Sequence, residues 1–177
     1  MRMNAWAIDV YGLCEAHRRS VLARLRDAHR LYVSPLTWFP GQPARPGNGK
    51  SPRPATRRAS GNLALVGRDP SRAGGAEAGE MHATLDALHQ RGVLVVEEDH
   101  ECDPHLVAAV ETSWKDAGLI GRPTDETLTA ILTAGRLGMD LVTEDTDVHR
   151  LAGHWEVQTM TVSDLASSLA ARAAKAR

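Results

Sequence analysis

The feature that most constrains this chain is an alternation of short apolar runs with stretches of helical periodicity. Residues 4–10 (Asn-Ala-Trp-Ala-Ile-Asp-Val) read as a buried strand ending near Asp9, and Leu31-Tyr32-Val33 as a second, closed by Pro35. Val93-Leu94-Val95-Val96 is a β-branched run suited to a central strand, and 139–143 and 156–160 read as two more. Helical stripes fall between them. Val21, Leu22, Leu25 and Ala28 predict a helix over 14–30, and Met81, Leu85 and Leu88 predict one from about residue 76 to a stop at Gly92. Asp103-Pro104 opens a helix with the stripe Leu106, Val107, Val110, Trp114 and Ala117. Gly118, Gly121 and Pro123 make a connection, and Thr124 caps a helix that buries Leu128, Ile131, Leu132 and Gly135 and ends at Gly138. Ser163 is the expected cap of a last, Ala-rich helix. Strands alternating with helices at this spacing predict an α/β fold, a central mostly parallel sheet flanked by helices in three layers.

One segment breaks the pattern. Residues 40–62 are rich in Pro, Gly and Arg without apolar period, Leu63–Val66 is a candidate short strand, and Gly74-Gly75 ends the irregular stretch. The reading is therefore one domain over 1–177 with an insertion or flexible loop at 40–75. Charge follows the same division. Residues 42–72 carry seven basic side chains and one acid, net +6, while the remainder of the chain is net −7. Arg53, Arg57 and Arg58 in this segment are candidate contacts to a nucleic-acid backbone, against the alternative of a solvated loop. Cys14 and Cys102 stand in no zinc spacing and are expected as reduced thiols of a cytoplasmic protein, with a single disulfide the lesser alternative. No signal peptide or membrane span is expected. Trp6, Trp38, Trp114 and Trp155 are expected in or at the edge of the core.

Parallel sheets bind ligands beyond the carboxyl ends of their strands. Asp9 and Asp145 each lie at or just past such an end, and Asp125 opens a helix that tends to face the same edge. Hard divalent cations take oxygen ligands, usually a few carboxylates and water, and they neutralise charge that develops when a phosphodiester is hydrolysed.

The run from Asp125 through Thr143-Glu-Asp-Thr-Asp to Leu151 resembles the closing half of a PIN domain. In that family an Asp opens a helix of small residues, Gly ends it, an apolar strand follows, and Thr-x-Asp with another acid comes next. The strand ending in Asp9 is similar to the family's first acidic position, and the likeness spans roughly residues 4–39 and 76–167. It implies a metal-dependent ribonuclease using Mg²⁺ or Mn²⁺, with Asp9, Asp125 and Asp145 as ligands and Asp147 as an auxiliary ligand or structural acid. Thr143 would then hydrogen-bond a ligand carboxylate or the substrate phosphate. The same likeness implies an RNA substrate, with DNA an alternative, an antitoxin partner, and a homodimer.

Two departures stand out. Val10-Tyr11 follow Asp9 where the family usually has a small hydroxyl or amide residue. The stretch Ser34–Phe39 lacks the family's usual acid, which leaves Glu80, or Glu77, to supply it from the next helix. The competing reading is a catalytically degenerate PIN-like protein that binds nucleic acid or acts as a scaffold. A phosphatase of the haloacid dehalogenase type wants an Asp two residues after Asp9, where Tyr11 stands, and a phospho-receiver wants paired acids near the start, which are absent. The cluster from Glu97 to His105 fits no zinc motif and reads as a polar turn. Taken alone, Asp125 also reads as a first-turn acid favoured by the helix dipole.

Overall fold

The computed structural model describes residues 4–34, 37–38, 74–97, 104–119 and 124–175. Among the described residues five strands form one sheet: β1 (Asn4–Ile8), β2 (His29–Val33), β3 (Leu94–Val96), β4 (Leu141–Val142) and β5 (Thr159–Met160). Their order is β3-β2-β1-β4-β5 and every neighbouring pair is parallel. Among the described residues six α-helices flank it: α1 (Val10–Arg18), α2 (Gly74–Gln90), α3 (Pro104–Asp116), α4 (Asp125–Leu137), α5 (Thr146–His154) and α6 (Val162–Lys175). The α/β reading holds, and the sheet is parallel throughout.

Strand alternation divides the core into two layers. Trp6 and Ile8 of β1, Leu31 and Val33 of β2 and Val142 of β4 pack on one side with Leu13 of α1, Leu85 of α2 and Leu165 of α6. Ala7 and Leu141 point the other way, onto Val110 of α3, Ile131 of α4 and Leu151 of α5. Trp6, Trp38 and Trp114 are buried and Trp155 is half-buried, as expected of core tryptophans.

Several boundaries differ from the sequence reading. The first strand stops at Ile8, because Asp9 already caps α1 through the Gly12 N–H. The helix read over 14–30 is α1 over 10–18 followed by a separate 3₁₀ turn, Leu22–Arg24. Ser20 takes a left-handed φ of 55°, and the Val21 and Ser20 N–H groups fold back to the carbonyls of Ala16 and His17. The same closing motif ends α4 at Gly138, but there a glycine announces it. The last helix is capped by Thr161 rather than Ser163. The Thr161 hydroxyl accepts from the Asp164 N–H, and the Asp164 carboxylate accepts from the Thr161 N–H. Thr124 caps α4 as expected. Leu63–Val66 and the rest of the 40–73 segment lie outside the described residues.

The sheet order has a functional consequence. Leaving β1, the chain first builds outward through β2 and β3, then returns to the other side of β1 for β4 and β5. The order therefore reverses between β1 and β4. At such a reversal the connections diverge, and sheets of this kind bind ligands beyond the carboxyl ends of the two strands. Asp9 follows β1 and Thr143 follows β4 at that point. Gly12 makes the close approach possible: a Cβ there would sit 2.5 Å from the Val142 carbonyl oxygen and 3.0 Å from Ile8 Cγ1. Gly12→Ala must push α1 off β4. It is expected to cost about 1–3 kcal/mol despite the better helix propensity of Ala, read as a lower midpoint in urea denaturation.

Candidate functional site

Asp9 is fully buried where β1 passes into α1. Its Oδ1 accepts from the Gly12 N–H at 2.7 Å, and its Oδ2 accepts from the Thr143 hydroxyl at 2.5 Å. Thr143 in turn accepts from the Asp145 N–H at 3.1 Å. Asp145 caps α5, its Oδ1 accepting from the N–H groups of Asp147 and Val148 at 2.8 and 3.4 Å. One polar chain thus runs from the start of α5 through Thr143 to Asp9. Of the two roles expected of Thr143, the side chain is placed for the first, donating to the Asp9 carboxylate from a fully buried position.

A residue the sequence reading did not single out completes the centre. Glu126, the second residue of α4, is buried at 1% exposure. Its Oε1 accepts from the Val10 N–H at 3.0 Å and from the Thr37 hydroxyl at 2.7 Å. Its Oε2 is buried and has no hydrogen-bond partner among the described residues. Thr37 lies in the Ser34–Phe39 stretch that lacks an acid; that stretch delivers a hydroxyl to an acid instead.

The electrostatics follow from burial. Loss of water raises the Asp9 carboxyl from 3.8 to about 7, and the charge of Glu126 adds to this. The Thr143 and Gly12 hydrogen bonds oppose the rise, and Asp145 contributes a smaller upward push. Burial likewise raises Glu126, against the hydrogen bonds from Thr37 and Val10. Among the described residues no basic side chain forms an ion pair with Asp9 or Glu126. Two buried carboxylates held only by neutral donors are in a costly arrangement unless a proton or a cation joins them.

The other expected site residues fall as follows. Asp125 opens α4 as predicted, and its side chain lies outside the described residues, as do Glu77's, Arg53, Arg57 and Arg58. Glu80 is exposed on α2, and the carboxylates whose charge acts on Asp9 are Glu126 and Asp145. Asp147 sits half-buried in the first turn of α5, where an acid complements the helix dipole. Glu144, between Thr143 and Asp145, turns away to accept from the Val162 N–H at 2.8 Å and so fastens α6.

Asp9, Glu126 and Asp145 offer hard oxygen donors, one of them an orphaned buried oxygen, at the reversal point of the sheet. That chemistry suits Mg²⁺ or Mn²⁺. Among the described residues no three His, Cys, Asp or Glu side chains converge tightly enough to cage an ion unaided. Such ions usually keep several waters and take only one or two carboxylates directly. No family model matches this chain, and no curated protein matches it.

Proposed function

We propose that this chain is a PIN-like, Mg²⁺- or Mn²⁺-dependent nuclease acting on RNA, with Asp9, Glu126 and Asp145 as the metal-holding acids. The observation that carries this reading is the pair of buried carboxylates, Asp9 and Glu126, with no basic partner among the described residues and one oxygen unsatisfied. A divalent cation there would supply Lewis-acid stabilisation of the phosphoryl oxygens and a more acidic bound water. The protein's own contribution is positional. Gly12 and Thr143 fix both oxygens of Asp9, Val10 and Thr37 fix one oxygen of Glu126, and the start of α5 fixes Asp145. Asp125, at the same end of α4, is one of the three ligands the resemblance implies, with Asp9 and Asp145. A toxin role with an antitoxin partner, and a homodimer, belong to the same proposal.

The test is cleavage of single-stranded RNA in Mn²⁺ and Mg²⁺ by the full chain. Glu126→Gln and Asp145→Asn are expected to lower the rate by about 100-fold or more while leaving the fold intact. Wild-type rates in both variants would refute the site. The second reading, a degenerate nucleic-acid-binding protein, draws on the exposed position of Glu80, which leaves the family's helix acid unfilled among the described residues. Its signature is metal and RNA binding without cleavage by wild type.

A further inference from the structure

The opposite edge of the sheet has the opposite charge. Five arginines gather around the turn that leads into β2. Arg24 ends the 3₁₀ turn, Arg26 precedes β2, Arg30 lies within it, Arg91 follows α2, and Arg172 lies in the last turns of α6. Contacts tie two of them, Arg91 and Arg30, to this turn. Arg91 Nη2 donates to Asp27 Oδ1 at 2.7 Å and to the Leu25 carbonyl at 3.3 Å. Arg30 Nη1 donates to the Asp27 and His29 carbonyls at 2.5 and 2.7 Å. Arg26 and Arg172 are both close enough for their charges to disfavour protonation of His29, after its burial. Asp27 is the one acid bonded to this group among the described residues, so the cluster carries a surplus of positive charge on a chain that is net −1 overall.

Local structure accounts for only part of it. Basic residues complement helix C-terminal dipoles, which covers Arg91 and Arg172. Arg24, Arg26 and Arg30 lie at no α-helix end. Arg30 spends its hydrogen bonds on backbone carbonyls, as Arg91 does in part, and a carbonyl does not cancel charge. Arg24, Arg26, Arg91 and Arg172 are exposed.

We propose that this arginine cluster is a docking surface for the phosphodiester backbone of a single-stranded nucleic acid, separate from the acidic site. Guanidinium groups match phosphate oxygens in a two-pronged geometry, and backbone binding needs no apolar centre. A protein partner normally does need one. The exposed large hydrophobic side chain among the described residues is Tyr11, beside Asp9 at the other edge. His29 pairs with Asn4 at the start of β1, and Asp9 follows the end of that strand, so the two surfaces stand about 17 Å apart along the sheet. A strand bound at the cluster can therefore extend past the sheet to the acidic edge.

The test measures fluorescence anisotropy of a labelled oligouridine and of its DNA counterpart, with EDTA present and in the Asp9→Asn background, so that neither metal nor cleavage contributes. Arg24→Ala, Arg26→Ala and Arg172→Ala together are expected to weaken binding about tenfold at 100 mM salt, on both polymers. The slope of log K against log salt should become shallower by about 2, at roughly 0.7 per lost phosphate contact. Lysine at the same three positions should restore most of the slope. Unchanged affinity and slope in the alanine variant would overturn the proposal. So would poly-glutamate binding as tightly as the oligonucleotide with the same dependence on the three arginines, because the surface would then serve an acidic protein. Arginine-dependent binding by a chain that never cleaves RNA would remove the nuclease reading and leave this one standing.

Discussion

Asp9→Asn is expected to abolish metal-dependent cleavage and, in the same protein, to raise the stability of the metal-free fold at pH 8. The two effects have one cause. Asp9 is fully buried beside Glu126, and at pH 8 its charge is held against burial and repulsion that lift its carboxyl to about 7. Asparagine keeps the shape without the charge. Its oxygen can still accept from the Gly12 N–H, and its amide can donate to the Thr143 oxygen once that hydroxyl turns its own proton away. Removing the charge should recover about 1–4 kcal/mol at pH 8, read as a higher midpoint in denaturant, with the gain shrinking as pH falls towards 5. Loss of both activity and stability would mean that Asp9 is a structural capping residue and no more. A group that weakens the fold in exchange for chemistry is what a ligand position should be.

The second large effect is the pH dependence of the metal-free wild type. Asp9 and Glu126 both have carboxyls raised in the fold above their ordinary values. The folded chain therefore binds more protons than the unfolded chain through the interval between the two values. Stability from this source is fully present below about pH 4 and is lost as pH rises towards about 7 and beyond. For Asp9 alone the loss is on the order of 4 kcal/mol, and Glu126 adds in the same direction. Mn²⁺ should reverse the trend, since an ion that binds only the folded state with deprotonated ligands stabilises most at the pH where the empty site is weakest. A midpoint that rises steadily from pH 5 to 8 without metal would contradict the assigned burial of the pair.

The parts of this arrangement that were legible in the sequence are those where one residue type has one physical use. An acid interrupting the apolar run of β1 had to be explained, and Asp9 is at the centre of the site. Gly138 and Thr124 bracket α4 as read, because glycine suits a left-handed closing turn and threonine an N-cap. Ser20 closes α1 by the same motif without a glycine, so nothing in the sequence stopped the helix, and the apolar positions 21, 22 and 25 extended the apparent stripe. Glu126 stayed hidden for a different reason. Asp125 and Glu126 are adjacent acids on one helical turn, and that Glu126 reaches the Val10 N–H beside β1 depends on the rotation of α4 against the sheet. That rotation is set by the packing of Leu128, Ile131 and Ala134 on Ala7 and Leu141. Thr37 was equally hidden, since its role exists only once Glu126 is in place. Strand order, which sets β1 beside β4, is likewise a property of how the helical connections pack.

Whether the buried acids hold a divalent cation is tested by a calorimetric titration of Mn²⁺ into the full chain at pH 8, for wild type and for Glu126→Gln and Asp9→Asn. Wild type is expected to bind with proton release that grows as pH is lowered towards 7, and each variant to lose about 10- to 100-fold or more in affinity. Wild-type affinity retained in both variants, or no binding by wild type at millimolar Mn²⁺, would contradict a metal-holding role for these acids.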